Sequence, residues 1–216
     1  MKIASFDLGM RNLAWCVLER EAPCSWPPTG AKVLSWKLVD ISDGKVEDLQ
    51  GADISQCVEM LINTLKANAS ELVVDHVFLE LQPTSRMGVS NIKTKVLSHI
   101  CQGYFYEHGI PVTFVSPKLK NSVPCDAVSE GTPAQMYAAR KKHAIASTTT
   151  ALTALDDKEW IEWWSKKKGK KDDLADAFLQ GLFGKPHEKK EHNKKKVKKA
   201  KLSVPVPDIE EFELEI

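Results

Sequence analysis

Apolar residues recur along this chain in two rhythms, and the places where one gives way to the other outline its elements. Lys2 to Asp7 is a short apolar run that ends on a carboxylate and meets the turn Leu8-Gly9-Met10-Arg11. Asn12 to Glu19 and Lys32 to Ile41 are two further strand-like runs. Residues 21–31 between them hold Pro23, Pro27, Pro28 and Gly30, the composition of a long hairpin loop. Three strands joined without a helix predict an antiparallel meander.

The period then lengthens. Ile54, Val58, Leu61, Ile62 and Leu65 fall at helical spacing and predict an amphipathic helix over 53–69. Val73 to Leu81 reads as a strand ending at Glu80, and Ile92, Val96, Ile100 and Cys101 mark a second helix from about Ser90 to Glu107. Pro111 to Val115 adds a strand rich in β-branched residues. The order β-β-β-α-β-α-β predicts an α/β fold, a mixed five-stranded sheet whose later strands are parallel crossovers flanked by helices.

Residues 122–132 read as a mobile loop, and Pro133 suits the first turn of a helix reaching about Leu155. Asp156-Asp157 cap a shorter helix holding Trp160, Trp163 and Trp164, and Asp172 is the expected N-cap of a last helix ending at Phe183. Lysines and then Pro205 and Pro207 follow Gly184. One folded domain over 1–184 and a disordered tail over 185–216 are the expected division.

Composition narrows the class. With 43% hydrophobic and 27% charged residues, the chain matches ordinary soluble globular proteins. No apolar stretch nears the roughly 20 residues of a membrane span, and the N-terminus has no signal-peptide pattern. No membrane partner is expected. The 5 cysteines lack a C-x-x-C pair, which predicts reduced thiols in an intracellular protein and argues against a zinc site. The net charge of +1 hides lysine blocks at 166–171 and 185–201 and an acidic end at 208–216. Lys194 to Lys201 suits a nuclear-import signal, a nonspecific DNA tether, or both.

Four acids carry the chemistry. Asp7 and Glu80 each close an apolar strand, where a carboxylate is unfavourable unless something neutralises it. Asp173 and Asp176 share one helix face by their i, i+3 spacing. Alone, Asp173 reads as a first-turn charge complementing the helix dipole, and Glu80 as an edge-strand charge. Together the four suit two divalent ions about 3.5–4 Å apart, the arrangement that hydrolyses phosphodiesters. Oxygen donors of this kind favour magnesium.

Three segments bring in a resemblance. Ile3 to Ala14 resembles the first strand and turn of RuvC-like Holliday junction resolvases, and Phe78-Leu79-Glu80-Leu81-Gln82 resembles their second acidic strand. Lys170 to Phe178 is similar to their closing D-x-x-D helix. Spacing and the Glu-Leu-Gln tract look most like the resolvases of poxviruses and related large DNA viruses, over about residues 2–184. The resemblance implies an RNase H-like fold and a structure-selective endonuclease cutting four-way and related branched DNA. It further implies a homodimer, two magnesium or manganese ions per site, and paired nicks leaving 5′-phosphate and 3′-hydroxyl ends. Asp7, Glu80, Asp173 and Asp176 are then the metal-binding and catalytic tetrad.

Arg11, Arg86, Lys93, Lys95, Lys118, Lys120, Arg140, Lys141, Lys142, Lys170 and Lys171 are the expected DNA-phosphate contacts. The tryptophans at 160, 163 and 164 are expected to pack in the core, with base stacking as the lesser alternative. Two other functions compete. Asp7-x-Gly9 also resembles the first phosphate loop of actin-like ATPases, but no second such loop follows. A noncatalytic junction-binding protein would use the basic tail without the tetrad.

Overall fold

The N-terminal meander is present in the computed structural model, which describes residues 1–9, 11–42, 53–82, 92–117, 119, 123 and 131–186. β1 (Lys2–Asp7), β2 (Leu13–Arg20) and β3 (Ala31–Val39) pair antiparallel in succession. The turn between β1 and β2 requires glycine, because a Cβ at Gly9 would stand 2.8 Å from the Asn12 carbonyl oxygen.

β4 (His76–Glu80) lies parallel to β1, and β5 (Val112–Val115) parallel to β4, giving the sheet order β3-β2-β1-β4-β5. The β4 strand is shorter than predicted. Val73 is exposed, and the chain before the strand is held by Asp75, whose backbone and carboxylate both bond to Lys2.

Helices cover both faces. α1 (Ile54–Ala67) and α2 (Ile92–Glu107) pack on one side, where Phe6, Trp15, Val17, Val77 and Leu79 meet Leu61, Leu65, Leu97 and Cys101. α3 (Pro133–Ala154), α4 (Lys158–Lys166) and α5 (Lys171–Phe183) cover the other side over Ala14, Cys16, Leu18, Val33 and Trp36. Alternate strand residues supply the two cores, as a period of two requires. α3 starts on a capping box, in which Thr132 accepts from the Gln135 backbone and Gln135 from the Thr132 N–H. Asp157 caps α4 by accepting from the Trp160 N–H.

One cap differs from expectation. α5 begins at Lys171, so Asp172 lies inside its first turn rather than at the N-cap. Its carboxylate instead pairs with Lys141 Nζ of α3 at 2.5 Å. No helix among the described residues is long and apolar enough to cross a membrane. Most of the predicted loop at 122–132, and the tail from 187 onward, lie outside the described residues.

Candidate metal centre at the carboxyl end of the sheet

Phe6 stands opposite Leu79 in the parallel β1/β4 ladder. The next residues, Asp7 and Glu80, therefore leave neighbouring strands side by side, with backbones about 4.8 Å apart. By alternation Asp7 shares a face with Ser5, and Glu80 with Phe78. That face belongs to α5. A Cβ on Gly181 would lie 3.3 Å from Ser5 Cβ, and one on Gly184 would lie 2.8 Å from the Phe78 ring.

The direction of α5 places its acids. The Gly184 carbonyl accepts a hydrogen bond from the buried Arg20 guanidinium, and the Arg20 N–H bonds to the Met1 carbonyl. The end of α5 thus crosses from β1 toward β4, with Gly181 over Ser5 and Gly184 beside Phe78, the ladder partner of Ser5. Gln180 sits on the Phe6 and Phe78 carbonyls, and Asp176 and Asp173 lie four and seven residues earlier on the same face of α5.

All four tetrad residues are half-buried, and one oxygen each of Glu80 and Asp173 is shielded from solvent. Each of the four has polar or ionic interactions in the structure. Among the described residues, no three acidic, imidazole or thiol side chains are already closed into one ligand cluster. Asp7 and Glu80 end adjacent strands, and the α5 face that bears Asp173 and Asp176 meets those strands through Gln180. The all-oxygen donor set of these four acids suits a hard divalent cation such as magnesium or manganese.

Two residues that the linear pattern does not flag hold this geometry. Gln180 is 2% exposed, and its Nε2 donates to the carbonyls of Phe6 at 3.2 Å and Phe78 at 3.4 Å. Trp36 of β3 donates from Nε1 to the Leu174 carbonyl at 3.1 Å, between Asp173 and Asp176 of α5. Its ring also meets Trp160, Trp163, Trp164 and Phe178, with centroids 5.0–6.1 Å apart. The three tryptophans of α4 are therefore packing residues, as expected. A polar residue inside the apolar run Leu174 to Phe183 was the available signal for Gln180.

Residues 1–183 match the family model of the poxvirus A22 protein. The chain belongs to that family. No curated protein matches its sequence. Among solved structures, the fowlpox virus resolvase in complex with substrate Holliday junction DNA matches with a TM-score of 0.55 at 20% identity, covering 84% of this chain and 95% of that one. Thermus thermophilus RuvC matches at 0.54 and 16%, covering 85% and 92%. The yeast mitochondrial Holliday junction resolvase Ydc2 matches at 0.54 and 14%, covering 84% and 78%. These likenesses establish the RNase H-like fold.

In this A22-family chain the basic residues are not equally available. Arg11, Lys95, Arg140, Lys142 and Lys170 are exposed, and Lys93 is half-buried. Lys171 extends over the Trp164 ring, its Nζ 4.8 Å from the centroid. Lys141 is engaged with Asp172 and lies over the Tyr137 ring. Burial is the largest single influence and pushes the Asp172 carboxyl up, but the hydrogen bonds from Lys141 and the backbone, together with the Lys141 and Lys170 charges, hold it below its ordinary value. Lys141 is raised in turn, first by Asp172 and then by Tyr137. Arg86, Lys118 and Lys120 lie outside the described residues.

Proposed function

We propose that this chain is a metal-dependent endodeoxyribonuclease that resolves four-way DNA junctions and related branched DNA. The observation that carries this reading is that Asp7 and Glu80 end adjacent parallel strands that meet the α5 face bearing Asp173 and Asp176. Membership of the A22 family, and a fold shared with a poxvirus resolvase bound to junction DNA, support it.

In this proposal the four carboxylates hold two magnesium or manganese ions. When bound, such cations supply activation of water and stabilisation of charge on the scissile phosphate and leaving oxygen. The chain's own contribution is positioning. Asp7 and Glu80 are fixed by the β1/β4 ladder, and Asp173 and Asp176 by the packing of α5. The positive end of the α5 dipole favours carboxylates in its first turn. Lys170 and Lys171, at the same end, steer the DNA backbone toward it without reading sequence.

Symmetric nicking requires two such sites, so the working unit is a homodimer, and its products carry 5′-phosphate and 3′-hydroxyl ends. The lysine-rich segment from 185 onward supplies a nonspecific tether to DNA, a nuclear-import signal, or both. The described cysteines are free thiols, which supports an intracellular setting.

The deciding experiment incubates purified full-length protein and its Asp7→Asn variant with four-way junction, flap and linear duplex DNA. Wild type should nick opposed junction strands in magnesium and stop when the metal is chelated. Asp7→Asn should bind the junction but leave it intact. Undiminished cleavage by Asp7→Asn would end the assignment.

A further inference from the structure

We infer that Gln180 is a positioning residue for the carboxylate site, setting the height and rotation of α5 against the ends of β1 and β4. The inference rests on the function proposed above and concerns a residue that touches neither substrate nor metal. Gln180 lies seven residues after Asp173 and four after Asp176, so the three side chains share one helical face. Gln180 points into the sheet.

What it touches there is specific. Nε2 reaches the Phe6 carbonyl, one residue before Asp7, and the Phe78 carbonyl, two residues before Glu80. A primary amide carries two N–H donors on one nitrogen, so a single side chain can bridge two neighbouring strands. Both acceptors belong to the backbone that presents the acidic pair, so a shift of α5 and a shift of either strand end become one motion. The two acids of the helix and the two of the strands are therefore referenced to a common point.

An apolar residue would fill the same space. It would leave α5 free to slide or roll on the sheet, because close packing at Gly181 and Gly184 sets distance rather than rotation. The buried amide thus supplies what apolar packing lacks, namely direction. Outer partners that orient ligands typically change metal affinity by about 10–100-fold when removed.

The test compares wild type, Gln180→Met, Gln180→Asn, Leu65→Ala and Asp7→Asn as full chains. Manganese binding in the absence of DNA is read by electron paramagnetic resonance, thermal stability by calorimetry, and junction nicking as a function of magnesium. Gln180→Met and Gln180→Asn should each raise the half-saturating manganese concentration about tenfold or more. The magnesium needed for half-maximal nicking should rise in parallel, with junction binding retained. Leu65→Ala serves as a structural control, since it deletes buried packing from α1 on the opposite face of the sheet: it should lower the melting temperature without moving the manganese midpoint. A wild-type midpoint in either folded Gln180 variant overturns the inference, as does an equal shift in Leu65→Ala. If Gln180→Met does not fold, the Asn variant decides alone, its shortened amide keeping polarity but losing reach. Full binding and cutting by Asp7→Asn would instead overturn the functional reading itself.

Discussion

Trp36 of β3 and Trp164 of α4 stack with ring planes 5° apart and centroids 5.0 Å apart. Trp36 is also the residue whose indole N–H holds the first turns of α5, so one side chain links an edge strand, α4 and the helix bearing two of the four acids. The donors around it are satisfied as well: Trp160 Nε1 bonds to the Val33 carbonyl, and Trp164 Nε1 to Thr149 Oγ1. Trp36→Ala should destabilise the protein by about 3–5 kcal/mol, the usual range for deleting a buried aromatic. Urea denaturation checks this, and a change within experimental scatter of zero would show that the cluster is ornamental.

Gly181 makes the close approach of α5 to the sheet possible. A Cβ there would stand 3.0 Å from Leu18 Cδ1 and 3.3 Å from Ser5 Cβ. Gly181→Val must push the helix outward, at a cost of about 1–3 kcal/mol for overpacking. Because α5 carries Asp173 and Asp176, nicking should fall much further than the folded fraction does. Calorimetry together with single-turnover cleavage would separate the two, and a variant cutting at the wild-type rate per folded molecule would contradict it.

The Lys141–Asp172 pair gives a signed pH dependence. Asp172 is depressed, so its contribution is present above the unfolded carboxyl value of about 3.9 and lost as pH falls through the lower folded value. Lys141 is raised, so its contribution is present below the unfolded ammonium value of about 10.4 and lost as pH rises through the higher folded value. Both are in force at neutral pH. Lys141→Met should lower stability there by about 1 kcal/mol, the upper range for a partly exposed pair. The deficit should shrink in strong acid. An equal deficit throughout an acid titration would mean that the lysine stem, not its charge, is responsible.

The lysine-rich segment beyond the described residues should contribute affinity rather than catalysis. Removing residues 187–216 should weaken junction binding and flatten its salt dependence, since the logarithmic slope falls by about 0.9 for every phosphate no longer neutralised. Nicking at saturating protein should persist. Binding isotherms across a salt series provide the measurement, and superimposable curves for full-length and truncated protein would exclude the tether.

Much of this molecule was written in its periodicity. Among the described residues, five strands and five helices lie close to where the alternation and helical spacing place them, because burial on one face or both leaves its period in the sequence. The four acids were legible for the same reason: a carboxylate that ends a buried strand violates the local pattern, and an i, i+3 pair defines a face by its spacing alone.

Tertiary structure alone decided which groups meet. Asp172 looks like a cap in sequence but becomes a partner of Lys141, a choice made by the packing of α3 on α5. Trp36 alternates into the sheet like any strand aromatic, and only the layer above it shows that it grips Leu174. Gln180 carries the same lesson, since one amide between two carbonyls 72 residues apart in the chain, at Phe6 and Phe78, exists only once β1 and β4 are neighbours. Local sequence sets which face a side chain takes. Partners from distant segments depend on sheet order and helix direction, and those are properties of the whole chain.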